Sequence, residues 1–179
     1  EQQMIAQTCH HFIRTEVTPR LEEIDNATST TVMASLIDKA GELGLVGIAV
    51  PEEYGGFGMD FNTSMLAAEC TGAGHSFSVA FSAHTGIGTL PIVYYGNEEQ
   101  KQRYLPKLAS GEWKSAYCLT EPESGSDANS ARTRAKLTPD GRYYQITAQK
   151  MWITNGGFAD ILIVFAKIEE ADGKVDNNL

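Results

Sequence analysis

Several things that would decide a protein's class early are scarce or missing in this chain. There are three cysteines in 179 residues, Cys9, Cys70 and Cys118, odd in number, far apart and without a Cys-x-x-Cys pairing. That pattern reads as reduced and intracellular, with neither a disulfide framework nor a zinc site expected. Positive charge is also short: 14 Lys and Arg stand against 23 Asp and Glu, a formal net charge of −9. A nucleic-acid surface, which needs clustered basic residues, is therefore not expected. No apolar run approaches the roughly 18 residues of a membrane span. The opening Glu1-Gln2-Gln3-Met4-Ile5 has no basic region followed by an apolar stretch, so it is no secretory signal. The histidines, His10, His11, His75 and His84, share no ligand spacing and read as ordinary helix positions. Neither an internal repeat nor a low-complexity tract is present. What remains is 42% hydrophobic and 21% charged, ordinary globular material long enough for a genuine core.

The rhythm of the chain changes near Gly111. Before it, apolar residues recur at helical spacing. Ile5, Cys9, Phe12, Ile13 and Val17 form one stripe, with Pro19 expected to close that helix. Val32, Leu36, Ile37, Ala40 and Leu43 form a second, ended by Gly44. The glycines of Val50 to Gly58 mark a loop and, with no preceding strand, no dinucleotide fingerprint. Asn62 is expected to cap a third helix carrying Met65, Leu66, Glu69 and Cys70, and Ser76 to Thr89 reads as a buried helix. Asn97-Glu98-Glu99-Gln100 has the form of a capping box before Tyr104, Leu105 and Leu108. After Trp113 the apolar residues alternate. Arg132 to Leu137 and Arg142 to Thr147 flank the turn Thr138-Pro139-Asp140-Gly141, and Asp160 to Ile168 reads as a strand buried on both faces. Arg132, Arg134 and Lys136 share one strand face, read as solvated rather than as a phosphate site. The expected fold class is α+β: an all-α bundle over 1–112, then a partial antiparallel β-barrel or sandwich domain over 113–179. Because Glu1 falls inside a periodic helix and Asn177-Asn178-Leu179 follows only a few strands, the chain is expected to be part of a longer protein.

Two segments about thirty residues apart carry the chemistry: Tyr117-Cys118-Leu119-Thr120-Glu121-Pro122-Glu123-Ser124-Gly125-Ser126-Asp127 and Lys150-Met151-Trp152-Ile153-Thr154-Asn155-Gly156. Each opens as a strand and breaks into a turn rich in hydroxyls and glycine. Backbone amides, compact hydroxyl donors and a broad indole face suit a flat cofactor with polar edges. Core packing is the ordinary fate of strand aromatics, but it does not explain why hydroxyls recur in the second segment. Glu121, Glu123 and Asp127 sit on one turn with no histidine beside them and read as a solvated loop rather than a metal or acid–base site. Cys118 reads as a small core residue.

The paired segments resemble the flavin-contacting segments of the acyl-CoA dehydrogenase family, most closely its very-long-chain-like branch, and the resemblance extends over nearly the whole chain. It implies FAD as cofactor and α,β-dehydrogenation of a fatty acyl-CoA to a trans-2-enoyl-CoA. Tyr117 and the Leu119 backbone would lie along the flavin, Thr120 at its pyrimidine edge, and Ser126 near the phosphates and the substrate's pantetheine arm. Trp152 would pack at the isoalloxazine, Thr154 would donate towards N5, and Ile153 between them would be a further cofactor-binding residue. The resemblance places the catalytic base in a later helical domain, so no catalytic residue is expected in this chain and the chain alone is expected to be inactive. It also implies an acyl-CoA substrate, an electron-transfer flavoprotein partner, a homo-oligomer, and a cytoplasmic location if bacterial or the mitochondrial matrix if eukaryotic. An acyl-CoA oxidase on the same scaffold, or a non-catalytic flavin- or acyl-CoA-binding module, are the alternatives. Two departures from the family pattern stand out. Glu123 occupies a position where a small uncharged residue is usual, and Thr147-Ala148 replaces a more usual asparagine-glycine turn.

Overall fold

The helices form where the stripes place them, but their ends are set by local hydrogen bonding. In the computed structural model, which describes residues 1–26, 30–170, 173–175 and 179, the chain divides into two units. Asn177 and Asn178 lie outside the described residues. The first unit is Glu1–Ala116 with Thr154–Leu162, and the second is Tyr117–Ile153 with Ile163–Leu179.

In the first unit, α1 (Gln2–Phe12) does not end at Pro19. The chain continues through a wider turn at Ile13–Val17 and a tight turn at Thr18–Arg20 into α2 (Leu21–Asp25). Proline sits at the start of that tight turn, where its missing N–H removes no helical bond. Helix α3 (Thr31–Glu42) buries Val32, Leu36, Ile37 and Ala40, leaves Leu43 exposed beyond its end, and stops at Gly44 with φ 74°. Such a left-handed end favours glycine. In the loop that follows, Gly56 is required by close approach: a Cβ there would lie 2.0 Å from the Val50 carbonyl oxygen.

Helix α4 (Phe61–Thr71) is capped by Asp60, not by Asn62: its Oδ1 accepts from the Thr63 amide at 2.8 Å and the Thr63 hydroxyl at 2.7 Å. The carboxylate is the stronger acceptor and the better complement to a helix N-terminus. The stretch from Ser76 to Thr89 is not one helix. It comprises α5 (Ser76–Ser82) and a wider turn at Ala83–Gly88, and only one side is buried, with Val79 and Ile87 exposed. Helix α6 (Leu90–Tyr95) follows. Helix α7 (Glu98–Ala109) opens with both bonds of the capping box, Gln100 N–H to Asn97 at 2.8 Å and Asn97 N–H to the Gln100 side chain at 2.9 Å. The core of this unit gathers Phe12, Val17, Leu36, Ile37, Phe77 and Phe81 from α1, α3 and α5 and the turn after α1.

The strands are short. β1 (Ser115–Cys118) pairs with β4 (Ile161–Val164), and β2 (Arg134–Leu137) lies between β3 (Tyr144–Thr147) and β5 (Lys167–Glu169). The β2–β3 hairpin is antiparallel, with Arg134 opposite Thr147, while β2 and β5 run parallel, so this sheet is mixed. Gly141, at φ 69°, closes the hairpin turn, where the Thr138 amide donates to Tyr143 at 2.8 Å. The apolar run from Asp160 to Ile168 breaks after Val164 into β4 and β5. Leu162, Val164 and Ile168 are exposed, so it is not buried on both faces. An unbroken apolar run carries no period that tells which face is covered. Cys118 is buried as expected, and all three cysteines are free.

Candidate functional site

The two segments meet in the second unit. The Met151 amide donates to the Thr120 carbonyl at 3.0 Å, and Lys150 Nζ donates to the Leu119 carbonyl at 3.0 Å. These bonds bring Trp152 and Ile153 into one unit with Tyr117, Leu119, Thr120 and Ser126, while Thr154 begins the stretch belonging to the first unit. Tyr117 is half-buried against Phe165, ring centroids 4.7 Å apart. Leu119, Thr120, Ile153 and Thr154 are half-buried, and Ser126 is exposed.

Trp152 is the anomaly. It is 84% exposed, with a left-handed backbone at φ 60°. A bulky side chain at positive φ is an outlier, and such strain collects at functional sites. Three residues on, Asn155 repeats the left-handed backbone at φ 66° but is buried. Its Nδ2 donates to Ala80 O at 2.9 Å and Ser115 O at 3.1 Å, while its Oδ1 has no partner.

The hydroxyls in and near the two segments fall into two sets. Ser124 donates to the carbonyls of Asp127 (2.9 Å) and Ala128 (3.2 Å), and Thr133 donates to Glu121; both are committed to holding the loop. Among the described residues, the hydroxyls of Thr120, Ser126 and Thr154 make no hydrogen bond within the chain. Nor do the amides of Gly125, Ser126 and Asp127 donate within it. A flat group with polar edges and an anionic tail requires such a set: uncommitted hydroxyls, uncommitted amides and a bare aromatic face. The residues present fit a flavin.

Glu121 corrects the sequence reading. It is not a solvated loop residue but 7% exposed. Its carboxylate accepts from the Arg132 amide (2.6 Å), the Thr133 amide (3.1 Å), the Thr133 hydroxyl and Lys150 Nζ (2.8 Å). Burial alone would raise its pKa. The bonds from Lys150, Thr133 and the two amides outweigh it and hold the carboxyl at about 2. Glu123 and Asp127 are exposed, as expected. Glu123 pairs with Arg132, so its extra charge is answered locally. Lys136 pairs with Glu169 at 2.8 Å, in keeping with a solvated strand face, and Arg132 lies outside β2. Ala148 avoids positive φ, so the altered turn carries no alanine strain.

Sequence reasoning passed over two further groups. Lys150 was present in the second segment without a role; a lysine opening one segment and a glutamate in the other was the available signal. His84, in the first unit, is fully buried. Its Nε2 lies 3.0 Å from the Leu108 carbonyl, and its Nδ1 lies 3.2 Å from the Ser115 amide and 3.1 Å from the Ser115 hydroxyl. Those partners require Nε2 to donate and Nδ1 to accept. Burial, with the Lys114 charge adding to it, pushes the His84 pKa down to about 4 against the bond to Leu108. Nothing in a lone histidine within an apolar stretch announced this.

Comparison with known proteins gives the family. Residues 1–112 match the family described as acyl-CoA dehydrogenase, N-terminal domain, and residues 116–178 match its middle domain. A "Probable acyl-CoA dehydrogenase" of Bacillus subtilis is 50% identical over 169 residues, covering 94% of this chain and 28% of that protein. The mitochondrial very long-chain specific acyl-CoA dehydrogenase of Homo sapiens is 48% identical over 133 residues, covering 73% of this chain and 20% of that one. Among solved structures, an acyl-CoA dehydrogenase complexed with FAD from Bacillus anthracis superposes with a TM-score of 0.91 at 50% identity, over 97% of this chain and 29% of that one. The chain thus spans well under half the length of these three relatives. With the N-terminal and middle family profiles matched in order, the chain belongs to the acyl-CoA dehydrogenase family.

Proposed function

We propose that this chain supplies the flavin-facing part of an enzyme that dehydrogenates a fatty acyl-CoA across Cα and Cβ, giving the trans-2-enoyl thioester, with FAD as cofactor and an electron-transfer flavoprotein as acceptor. Bound FAD would supply the acceptor for the hydride leaving Cβ. The chain's own part is to hold and orient. Trp152 covers one ring face, and Tyr117, Ile153 and the Leu119 backbone flank the ring. Thr120 offers a hydroxyl donor to its pyrimidine edge, and Ser126, with the free amides of its turn, meets phosphate and pantetheine oxygens. The Cα proton would go to a base outside the two flavin-facing segments. Glu121 is unsuited to the task because four donors already occupy its carboxylate.

One observation carries the reading: two segments are stitched together while the indole and the hydroxyls beside the stitch are left unused. The test is to purify the whole protein, measure its bound flavin, and follow enoyl-CoA formation from octanoyl-CoA and palmitoyl-CoA with an artificial electron acceptor. Flavin bound in equal amount to protein, and turnover of at least one thioester, are expected. A folded protein that neither takes up FAD nor oxidises either substrate would overturn the assignment.

A further inference from the structure

We propose that the buried Glu121–Lys150 pair is a positioning device: it sets the spacing between the two flavin-facing segments, and through that spacing the affinity and potential of the flavin. The inference rests on the flavin reading above. Lys150 Nζ spans the gap with two bonds, to the Leu119 carbonyl at 3.0 Å and to Glu121 Oε1 at 2.8 Å, and the adjacent Met151 amide adds a third, to Thr120. Thr120 therefore stands between the two acceptors of one ammonium group, and Trp152 two residues beyond that ammonium. The Glu121 carboxylate is fixed from a third direction by the amides of Arg132 and Thr133. Three stretches of the second unit converge on one carboxylate, and both side chains of the pair are buried, at 9% and 7% exposed.

Stability alone does not account for such a pair. Removing two charges from water offsets most of their attraction, so apolar residues of similar size serve stability as well. What they cannot reproduce is direction. An ammonium offers three donors and no acceptor, and two of them are aimed at named oxygens on the segment that presents Thr120. Glu121 is also no proton carrier: burial would raise its pKa, but its four donors hold it at about 2, so its carboxylate stays ionised through the neutral range. A pair that is buried and bonded to backbone at Leu119, Arg132 and Thr133 acts on geometry.

The experiment compares the whole protein with the double variant Glu121→Gln/Lys150→Met, which leaves no lone buried charge, and with Lys150→Arg, which keeps the charge but changes the donor geometry. The control is Lys136→Gln/Glu169→Gln, an exposed pair in the same unit. FAD dissociation constant, visible flavin spectrum and midpoint potential are measured alongside apo-protein melting. The double variant and Lys150→Arg are both expected to weaken FAD about tenfold or more and to move the potential, since small misplacements of positioning groups are amplified. The control should match the parent in all of them. If the double variant folds but keeps the parent's affinity and potential, the pair only stabilises and the inference fails. Should the double variant not fold, Lys150→Arg decides by the same criterion. A parent protein that takes up no FAD would overturn the functional reading itself, an outcome distinct from loss of the pair's effect.

Discussion

Lowering the pH from 7.5 to 5 is expected to remove about 2 kcal/mol of stability from the helical unit through one side chain, His84. In the folded chain its pKa is near 4, against 6.5 ordinarily, because burial disfavours the imidazolium and the Lys114 ammonium adds to that. A group depressed in this way is protonated first in the unfolded chain. The stability it contributes is whole above pH 6.5 and lost as the pH falls towards 4. At about 1.4 kcal/mol per pH unit the full effect is about 3.5 kcal/mol, of which somewhat over half falls between pH 7.5 and 5. The geometry gives the reason. A proton on Nδ1 would face the Ser115 amide, which now donates to that nitrogen at 3.2 Å, with no solvent to relieve it. The lowered carboxylates, Glu121 among them, do not interfere, since they are common to both proteins and their contributions are lost mainly below about pH 4.5. Urea denaturation of the parent and of His84→Gln at half-unit steps through this range provides the assay. Glutamine keeps a donor and an acceptor but does not titrate. The parent's curve should fall with pH while the variant, weaker at pH 7.5 by about 1–3 kcal/mol from imperfect pairing, stays flatter. The exposed His10, His11 and His75 are common to both proteins. Parallel curves for the two proteins would refute the reasoning.

Trp152→Ala should weaken FAD binding by about 0.5–1.5 kcal/mol beyond the lost area while leaving the melting temperature of the apo-protein nearly unchanged, because Trp152 is 84% exposed in the folded chain. Trp113→Ala should do the reverse, since its ring lies beneath Lys107 Nζ at 4.3 Å and against Tyr104; flavin titration and melting of both variants separate the cases. Asp60→Ala should cost about 1 kcal/mol in chemical denaturation through loss of the α4 cap. Asn62→Ala, which caps nothing, should stay within about 0.5 kcal/mol of the parent.

What the sequence by itself determined were the features whose cause is local. The stripes of α1 and α3, the stop at Gly44, the capping box at Asn97 and the hairpin turn at Gly141 each depend on residues within one or two turns of one another. Their physical signal is written contiguously. The same holds for the paired segments, recognisable by residue order alone. Where two local solutions competed, sequence was a weaker guide. Asp60 and Asn62 both have the chemistry of a cap, and only the backbone, extended at Asp60, chose between them.

Tertiary structure decided everything that depends on a distant partner. Glu121 looked like one acid among three on a turn. It became a buried junction because Thr133 and Lys150, 12 and 29 residues away, converge on it. His84 owes its low pKa to burial among residues distant in sequence, with the Lys114 charge adding to it. Asn155, beside a residue assigned to the flavin, is bound instead to carbonyls 75 and 40 residues distant, and this ties Thr154–Leu162 to the helical unit. Burial and hydrogen-bond satisfaction belong to the assembled chain, not to the residue, and a carboxylate or imidazole has no fixed acidity until the fold has chosen its neighbours.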